Sequence, residues 1–198
     1  AVILEPVGRN TAPAAAVAAV LSEKIANDVL LLVIPSDHTI KDVDKFMEAV
    51  RTAQEPAKQG RLVTLGIPAS RAESGYGYIQ VGEELPNAPG SYDVSQFIEK
   101  PEKAKAIEYF TAGNFLWNSG IFLFSAKSYL QELGTFQPEV ARLSRIAMEN
   151  NGLDGDFVRL NSDAFKKNTA ISIDYAVMEH TDKGAVVPAH MGWYDVGS

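Results

Sequence analysis

Residues 30–38, Leu-Leu-Leu-Val-Ile-Pro-Ser-Asp-His, decide how this chain is expected to fold. Five apolar residues in succession, Val and Ile among them, are too few for a typical helix and favour a strand buried on both faces. Pro35 ends the run because it has no N–H to donate to a sheet. In open α/β sheets, ligands bind beyond the carboxyl ends of strands, so Asp37 lies where a site is expected. Alternatively, Asp37 caps a following helix.

The segments on either side alternate between strand and helix patterns. Strands are predicted at 2–4, 61–67, 78–81, 93–98, 121–124 and 185–189, and helices at 13–26, 42–60, 101–111, 126–133, 138–150 and 172–179. The stretches 151–156 and 190–198 are predicted to be loops. Strand–helix–strand order is typical of a parallel sheet with helices on both faces. The sequence therefore predicts an α/β protein with a Rossmann-like, doubly wound, mostly parallel sheet.

The composition limits the classes of partner. A formal net charge of −7 argues against nucleic acid or an anionic membrane surface as a partner. No apolar run approaches the length of a membrane span, and no signal peptide is visible. The absence of cysteine excludes disulfides and thiolate metal sites. A cytoplasmic protein that binds small molecules is the expectation.

Both ends of the sequence suggest a fragment. The chain starts at Ala1 inside an apolar run and stops at Ser198, directly after a Gly-Trp-Tyr-Asp-Val-Gly cluster. We therefore expect residues 1–198 to be one partial domain of a longer protein. Loss of an upstream strand would leave an open sheet edge, which favours a homo-oligomer.

Other polar residues at the ends of predicted strands are candidates for a site. Arg9 and Asn10 precede the first helix, whose N–H groups suit an anion, although an ordinary capped helix explains them as well. Gly77 and the glycine two before it let the backbone approach a ligand, or else form a bulge. Glu99 and Lys100 lie between a predicted strand and a predicted helix. They are candidates for a site, but an exposed ion pair is an alternative explanation for them.

Seven short motifs together resemble the sugar nucleotidyltransferases. In chain order they are Glu5-Pro-Val-Gly-Arg-Asn-Thr-Ala-Pro-Ala, Pro35-Ser-Asp-His, Gly75-Tyr-Gly-Tyr-Ile, Phe97-Ile-Glu-Lys-Pro, Trp117-Asn-Ser-Gly, Ser172-Ile-Asp-Tyr-Ala-Val-Met-Glu and Gly192-Trp-Tyr-Asp-Val-Gly-Ser. Within that family they are most similar to the mannose-1-phosphate guanylyltransferases, notably the bacterial kind fused to a phosphomannose isomerase. The family's opening strand with its glycine-rich loop is absent here, as is the isomerase domain, and Tyr194 replaces a common Asn.

The resemblance implies a nucleotide-diphospho-sugar transferase fold and a reaction. GMP would pass from GTP to mannose 1-phosphate, giving GDP-mannose and pyrophosphate, with Mg²⁺ as cofactor. By resemblance Asp37 and Asp195 are the catalytic, metal-binding carboxylates, and Lys100 meets the sugar phosphate. His38 is expected to hydrogen-bond a phosphate or a metal-binding carboxylate. Without the triphosphate loop, the fragment alone is expected to be inactive.

The resemblance also implies the residues that bind each substrate. They are Gly77, Glu99, Asn118 and Asp174 for the sugar, and Glu5, Gly8, Arg9 and Asn10 for the nucleotide. The guanine edge presents two adjacent N–H donors, which one carboxylate accepts side by side, so Glu5 is predicted to select guanine. For Asp174, capping of the predicted helix is nearly as good an explanation as a contact with the sugar.

Other functions compete with this one. The fold also suits another sugar-1-phosphate nucleotidyltransferase, a non-catalytic subunit that senses nucleotide sugars, and a metal-dependent glycosyltransferase that forms no pyrophosphate. A Rossmann-type dehydrogenase has little support because no Gly-x-Gly-x-x-Gly follows a strand.

Overall fold

A computed structural model of the chain describes residues 2–26, 28–149 and 152–196, with backbone only for 152–154. In chain order the elements are β1 Val2–Leu4, α1 Thr11–Glu23, β2 Leu30–Val33, β3 His38–Ile40, α2 Val43–Lys58, β4 Leu62–Pro68, β5 Tyr78–Glu84, β6 Tyr92–Ile98, α3 Lys103–Ala112, β7 Phe115–Ser125, α4 Ala126–Phe136, α5 Pro138–Glu149, β8 Gly152–Asp154, β9 Phe157–Arg159, α6 Ser162–Phe165, a π-helix Asp174–Met178, β10 Gly184–Pro188 and β11 Trp193–Asp195. The chain divides into two compact units, Ala1–Leu31 with Ser125–His180, and Leu32–Phe124 with Thr181–Ser198. We call them the helical unit and the sheet unit.

The helical unit is built around α1, which packs against α4 and α5. Six of the thirteen residues of α1 are alanines, and Ala12, Ala16 and Ala19 are fully buried. Small side chains let the neighbouring helices approach closely. The Tyr129 hydroxyl on α4 donates to the Ala12 carbonyl at 2.9 Å, which fixes the start of α1 against α4.

A three-stranded sheet in the order β1-β9-β8 completes the helical unit. Strand β1 pairs in parallel with β9, and β8 pairs antiparallel with β9. The prediction of a loop over residues 151–156 is therefore wrong for residues 152–154, which form β8. Asn151 lies outside the described residues. Gly155 has a φ of 60°, which a tight two-residue hairpin turn requires. The Gly-Asp pair at 155–156, between the two strands, is the local signal that could have predicted this hairpin.

The sheet unit contains a six-stranded sheet in the order β2-β7-β4-β10-β6-β5. The α/β class is confirmed, but the sheet is more mixed than expected. In the described part of this sheet, β4 and β10 pair in parallel, whereas the β4–β7, β6–β10, β5–β6 and β5–β7 pairs are antiparallel. The prediction of a mostly parallel sheet is therefore wrong for these pairs. A short loop joins β5 to β6, whereas parallel neighbours need a long crossover connection.

Strand β2, which opens the deciding stretch, lies at the end of this sheet order. The prediction that it is buried on both faces is wrong, because Leu32 is 39% exposed and Ile34 just after it is 45% exposed. A terminal strand has a neighbour on one side only, so its side chains are covered less than those of an interior strand. Strand β4 shows the contrast, with Leu62 and Val63 fully buried.

The segment after Pro35 forms a short strand rather than a helix. Helix α2 begins later, and Asp42 caps it by accepting the Lys45 N–H at 3.0 Å. The alternative that Asp37 is a helix cap is therefore wrong. Strand β3 pairs antiparallel with β11, so the predicted loop at 190–198 is also wrong for residues 193–195. Among the described residues, no helix is long and apolar enough to cross a membrane.

Candidate active site

Asp37 and Asp195 come together in the sheet unit, although they lie far apart in the sequence. Strand pairing places Asp195 opposite His38, and the Val196 N–H donates to the Asp37 carbonyl at 3.3 Å. The Nε2 atom of His38 lies 3.9 Å from a carboxylate oxygen of Asp37 and 3.9 Å from one of Asp195. The two carboxylate oxygens are therefore separated by no more than twice that distance.

These two carboxylates have different surroundings. The Asp37 side chain is 70% exposed, whereas Asp195 is 23% exposed and His38 is 12% exposed. The Trp193 indole N–H donates to Nδ1 of His38 at 3.1 Å, and the two rings meet edge-on at 5.1 Å. Asp195 and His38 are thus held by neighbouring protein atoms, while Asp37 has room to rotate toward a ligand.

A second cluster joins Gly77, Glu99 and Asn118. The Asn118 N–H donates to the Gly77 carbonyl at 2.8 Å. A Cβ added to Gly77 would overlap Oε2 of Glu99 and lie 3.1 Å from the Asn118 Cβ, so a side chain here requires the Glu99 carboxylate to move. The structure therefore brings together three of the four residues predicted to bind the sugar.

Lys100 lies at the edge of this cluster with a strained backbone. Its Nζ is 3.5 Å from Oε1 of Glu99, and its side chain is 60% exposed, whereas that of Glu99 is 10% exposed. Its φ of 46° is in the left-handed region that non-glycine residues rarely adopt. Among the described residues, Asn10 is the other non-glycine residue with a positive φ. Such strain is concentrated at functional sites in proteins, and both residues were predicted site residues.

The Asn118 amide is held in one orientation. Its Oδ1 accepts a hydrogen bond from the Thr64 hydroxyl and another from the Gly120 N–H, each at 3.1 Å. Because the Gly120 N–H can only donate, the amide atom that it meets must be the oxygen, and the NH₂ group lies on the opposite side of the amide. Asn118 can therefore present a defined donor, as the sugar-contact prediction requires.

Gly120 and Tyr76 join the two clusters into one candidate site. Gly120 has a φ of 69°, and a Cβ added there would lie 3.3 Å from Cγ of Pro35 and 3.9 Å from Cε1 of His38. The Tyr76 ring meets both the Trp117 ring and the Trp193 ring, each at 5.2 Å. The sequence analysis gave no role to Gly120 or Tyr76, although both occur inside quoted motifs.

The predicted nucleotide-binding residues belong to the helical unit. The side chain of Glu5 lies at the surface, and partial burial raises the pKa of its carboxyl. A Cβ added to Gly8 would meet no atom within 4 Å, so the protein itself leaves that position open. Arg9 donates from Nη2 to the Lys166 carbonyl, while its buried Nε has no protein partner in the described structure.

The start of α1 has few N–H groups left for an anion. Asn10 caps the helix by accepting the Thr11 N–H at 2.8 Å, and the Ala12 N–H donates to the Ile171 carbonyl at 3.1 Å. Pro13 has no N–H to offer. The capped-helix alternative therefore explains the start of α1 better than a backbone anion site.

Asp174 begins the π-helix of the helical unit. The preceding residue, Ile173, donates its N–H to the Thr11 hydroxyl at 2.9 Å, so Asp174 lies beside the start of α1. Burial raises the pKa of the Tyr129 hydroxyl far above its usual value, and the charge of Asp174 raises it further. The predicted role of Asp174 toward the sugar stays a prediction.

Comparison with known proteins identifies the family. The family model described as nucleotidyl transferase matches residues 1–198. The chain belongs to the nucleotidyl transferase family. Relatives of this nucleotidyltransferase include the xanthan biosynthesis protein XanB of Xanthomonas campestris, 50% identical, and the mannose-1-phosphate guanylyltransferase RfbM of Salmonella typhimurium, 49% identical. The matches cover all of the chain but only 42% and 41% of those proteins, so it spans about two fifths of the curated relatives.

Two solved structures share the fold of this nucleotidyltransferase. A protein from Thermus thermophilus described as mannose-1-phosphate geranyltransferase is 32% identical, with a TM-score of 0.86 over 98% of the chain and 54% of that protein. A protein from Helicobacter pylori described as mannose-6-phosphate isomerase is 36% identical, also with a TM-score of 0.86, over 98% of the chain and 73% of that protein. The nucleotide-diphospho-sugar transferase fold is thereby confirmed.

Asp37 and Asp195 of this nucleotidyltransferase fit a magnesium ion whose other ligands come from a substrate and from water. The described residues contain no group of three or more His, Cys, Asp or Glu side chains able to hold a metal by themselves. Mg²⁺ usually takes one or two carboxylates and completes its shell with waters and substrate phosphates. Asp37 and Asp195, which flank one imidazole, supply that number.

Proposed function

We propose that the protein transfers the guanylyl group of GTP to mannose 1-phosphate. A phosphate oxygen of the sugar attacks the α-phosphorus, the bond to the β-phosphate oxygen breaks, and pyrophosphate leaves. Two observations support the proposal: the 49% identical relative named mannose-1-phosphate guanylyltransferase, and the approach of Asp37 and Asp195 to one imidazole. The cytoplasm is the proposed compartment, which the cysteine-free composition permits.

Asp37 and Asp195 are the residues that would hold Mg²⁺. When bound, the ion neutralises phosphate charge and orients the reacting groups. Asp195, held opposite His38 in paired strands, gives a fixed ligand, and the exposed Asp37 adapts to the bound phosphates. Because phosphoryl transfer leaves little covalent work to the protein, the site acts by positioning and by charge.

The sugar phosphate would be held by the second cluster. Lys100 supplies a positive charge for the phosphate, and the carboxylate of Glu99 accepts hydrogen bonds from sugar hydroxyls. Asn118 donates from its NH₂ group, whose orientation is fixed by the two bonds to its oxygen. A side chain at position 77 would push Glu99 out of this arrangement.

Gly77→Ala is expected to raise KM for mannose 1-phosphate about tenfold or more, since small displacements in a site reduce binding and rate strongly. The added methyl overlaps Oε2 of Glu99, so that carboxylate must move. Gly134→Ala is the control, because its Cβ would meet no atom within 4 Å and it lies in α4, outside the candidate site. Steady-state kinetics of the intact protein measure both variants, and an unchanged KM in Gly77→Ala would remove Glu99 from the proposed sugar site.

Glu5→Gln is expected to reduce kcat/KM for GTP about a hundredfold and to weaken the preference for GTP over ATP. A glutamate accepts two charge-assisted hydrogen bonds from guanine, whereas the glutamine amide offers one acceptor and one donor. Glu149→Gln, an exposed change in the same unit, serves as the control. Burial raises the pKa of Glu5, so its carboxylate is protonated earlier as the pH falls. On acidification, the preference for GTP should therefore begin to weaken at a higher pH than it would with an ordinary glutamate. An unchanged GTP preference in Glu5→Gln contradicts the assignment.

Release of pyrophosphate tests the whole proposal. The intact protein, mixed with GTP, mannose 1-phosphate and Mg²⁺, is expected to release one pyrophosphate for each GDP-mannose formed. ATP and UTP, and glucose 1-phosphate in place of the mannose ester, test the choice of substrates. Transfer of a sugar without pyrophosphate would indicate a glycosyltransferase, and binding without turnover would indicate a non-catalytic subunit.

A further inference from the structure

The hydrogen bond from Trp193 determines which nitrogen of His38 carries the proton. An indole N–H can only donate, so Nδ1 of His38, which it reaches at 3.1 Å, must be the acceptor. In a neutral imidazole the proton is then on Nε2. Nε2 is also the atom that lies 3.9 Å from an oxygen of Asp37 and 3.9 Å from one of Asp195.

Strand pairing explains why these side chains meet. Asp195 lies opposite His38, and Trp193 lies opposite Ile40. Alternate residues of a strand face the same side, so Trp193 and Asp195 both flank the imidazole. Because the indole packs edge-on against it at 5.1 Å, the ring is held by a contact as well as by a hydrogen bond.

The position of Trp193 is itself fixed by Tyr76, a residue only 5% exposed. The Tyr76 ring meets Trp193 at 5.2 Å and an interplanar angle of 70°, and it meets Trp117 with the same distance and angle. The two indoles differ in the partner of their N–H group. Nε1 of Trp193 donates to His38, whereas the buried Nε1 of Trp117 has no partner in the part of the chain that the structure describes.

We propose that Trp193 is a positioning residue for Asp37 and Asp195. Its N–H keeps the His38 proton on Nε2, so the positive end of an N–H dipole faces both carboxylates. The other tautomer would turn a nitrogen lone pair toward the same two negative groups and repel them. The distance of 3.9 Å exceeds a hydrogen bond, so the N–H favours the paired arrangement without occupying either ligand oxygen. Only the link to Mg²⁺ rests on the proposed function.

Long-range ¹H–¹⁵N NMR on the metal-free intact protein tests the tautomer directly. In the wild type, His38 is expected to show a single population with its proton on Nε2. Trp193→Phe keeps an aromatic ring but loses the donor, so a second population with the proton on Nδ1 is expected. Trp117→Phe is the control, because it removes an indole that also meets Tyr76 but whose N–H has no acceptor in the described residues. In this variant His38 should keep its wild-type signals.

The same spectra identify the residue and check folding. Because this sequence contains three histidines, the signals of residue 38 are those that His38→Gln removes. Unchanged signals from the other two histidines show that Trp193→Phe remains folded. The proposal is overturned if Trp193→Phe leaves the tautomer of His38 unchanged, or if Trp117→Phe changes it equally.

Metal affinity tests the consequence for the carboxylates. Mn²⁺ binding followed by electron paramagnetic resonance in the presence of GTP is expected to weaken about tenfold in Trp193→Phe, the lower end of the loss seen for outer-shell partners of metal ligands. Trp117→Phe should bind Mn²⁺ like the wild type. A shifted tautomer with unchanged affinity overturns the positioning role. Absence of Mn²⁺ binding by the wild type itself refutes the proposed metal site, whatever the tautomer.

Discussion

Asp195→Asn is expected to lower kcat for pyrophosphate release about a thousandfold, the largest effect that we predict. The amide keeps the size of the side chain but loses the charge, so the site would hold Mg²⁺ weakly and leave phosphate charge unbalanced in the transition state. Asp195 is 23% exposed and held opposite His38 by strand pairing, so its carboxylate would be a fixed ligand. Turnover measured over a range of Mg²⁺ concentrations checks this prediction.

Asp182→Asn is the matched control for this change. Asp182 is an exposed aspartate of the same unit, outside the candidate site. Its variant should keep the wild-type rate and the wild-type dependence on Mg²⁺. If Asp195→Asn retained more than a tenth of the wild-type kcat at saturating Mg²⁺, Asp195 would not be a metal ligand in the reaction.

Two substitutions of Lys100 separate its charge from its backbone strain. Lys100→Met keeps the length of the side chain, and Lys100→Gly removes the Cβ that makes a φ of 46° unfavourable. Both are expected to reduce kcat/KM for mannose 1-phosphate about a hundredfold, because both remove the charge that is proposed to hold the phosphate. Steady-state kinetics and thermal unfolding of each variant measure the two effects.

The thermal stability of the Lys100 variants should not follow their activity. Lys100→Gly is expected to melt no lower than Lys100→Met, because glycine adopts the left-handed conformation without a steric penalty. Lys103→Met, a change of an exposed lysine three residues further along, is the control and should leave both properties unchanged. Wild-type kcat/KM in Lys100→Met would exclude Lys100 from the phosphate site.

The sequence predicted local structure well where the pattern itself carries the physical cause. Helix α2 has a cap at Asp42 and a buried face that includes Phe46 and Ala53, and the prediction placed it within two residues of its observed bounds. Some short strands were missed, as β3 and β11 show, although the short strand β1 was predicted. Three residues carry too little periodicity to distinguish a strand from a loop, and the pairing partner lies at the far end of the sequence.

The burial of β2 shows a second limit to what a sequence pattern can predict. Apolar residues in succession predicted a strand covered on both faces, yet Leu32 and Ile34 are partly exposed. Burial depends on which strand becomes the neighbour, and hydrophobicity does not encode that order. The mixed direction of the sheet has the same origin, since the strand–helix–strand pattern of the first 67 residues was extended to the residues that follow, which contain the β5–β6 hairpin.

The candidate site was predicted through resemblance more than through residue patterns. From spacing alone, Asp37 was equally compatible with a helix cap, and Asp195 was placed in a loop. The proximity of both to one imidazole is a property of strand pairing between distant segments. Tyr76 and Gly120 were missed because their roles are contacts with other site residues, and no local pattern marks such contacts.

A crystal structure of the intact protein with GDP-mannose and Mn²⁺ tests the central claim most directly. Anomalous scattering from manganese locates the ion without reference to any assumed ligand. We predict one peak bound by carboxylate oxygens of both Asp37 and Asp195 and by a phosphate oxygen of the nucleotide sugar. Clear density for GDP-mannose, with the manganese peak bound elsewhere or by neither aspartate, would contradict the account.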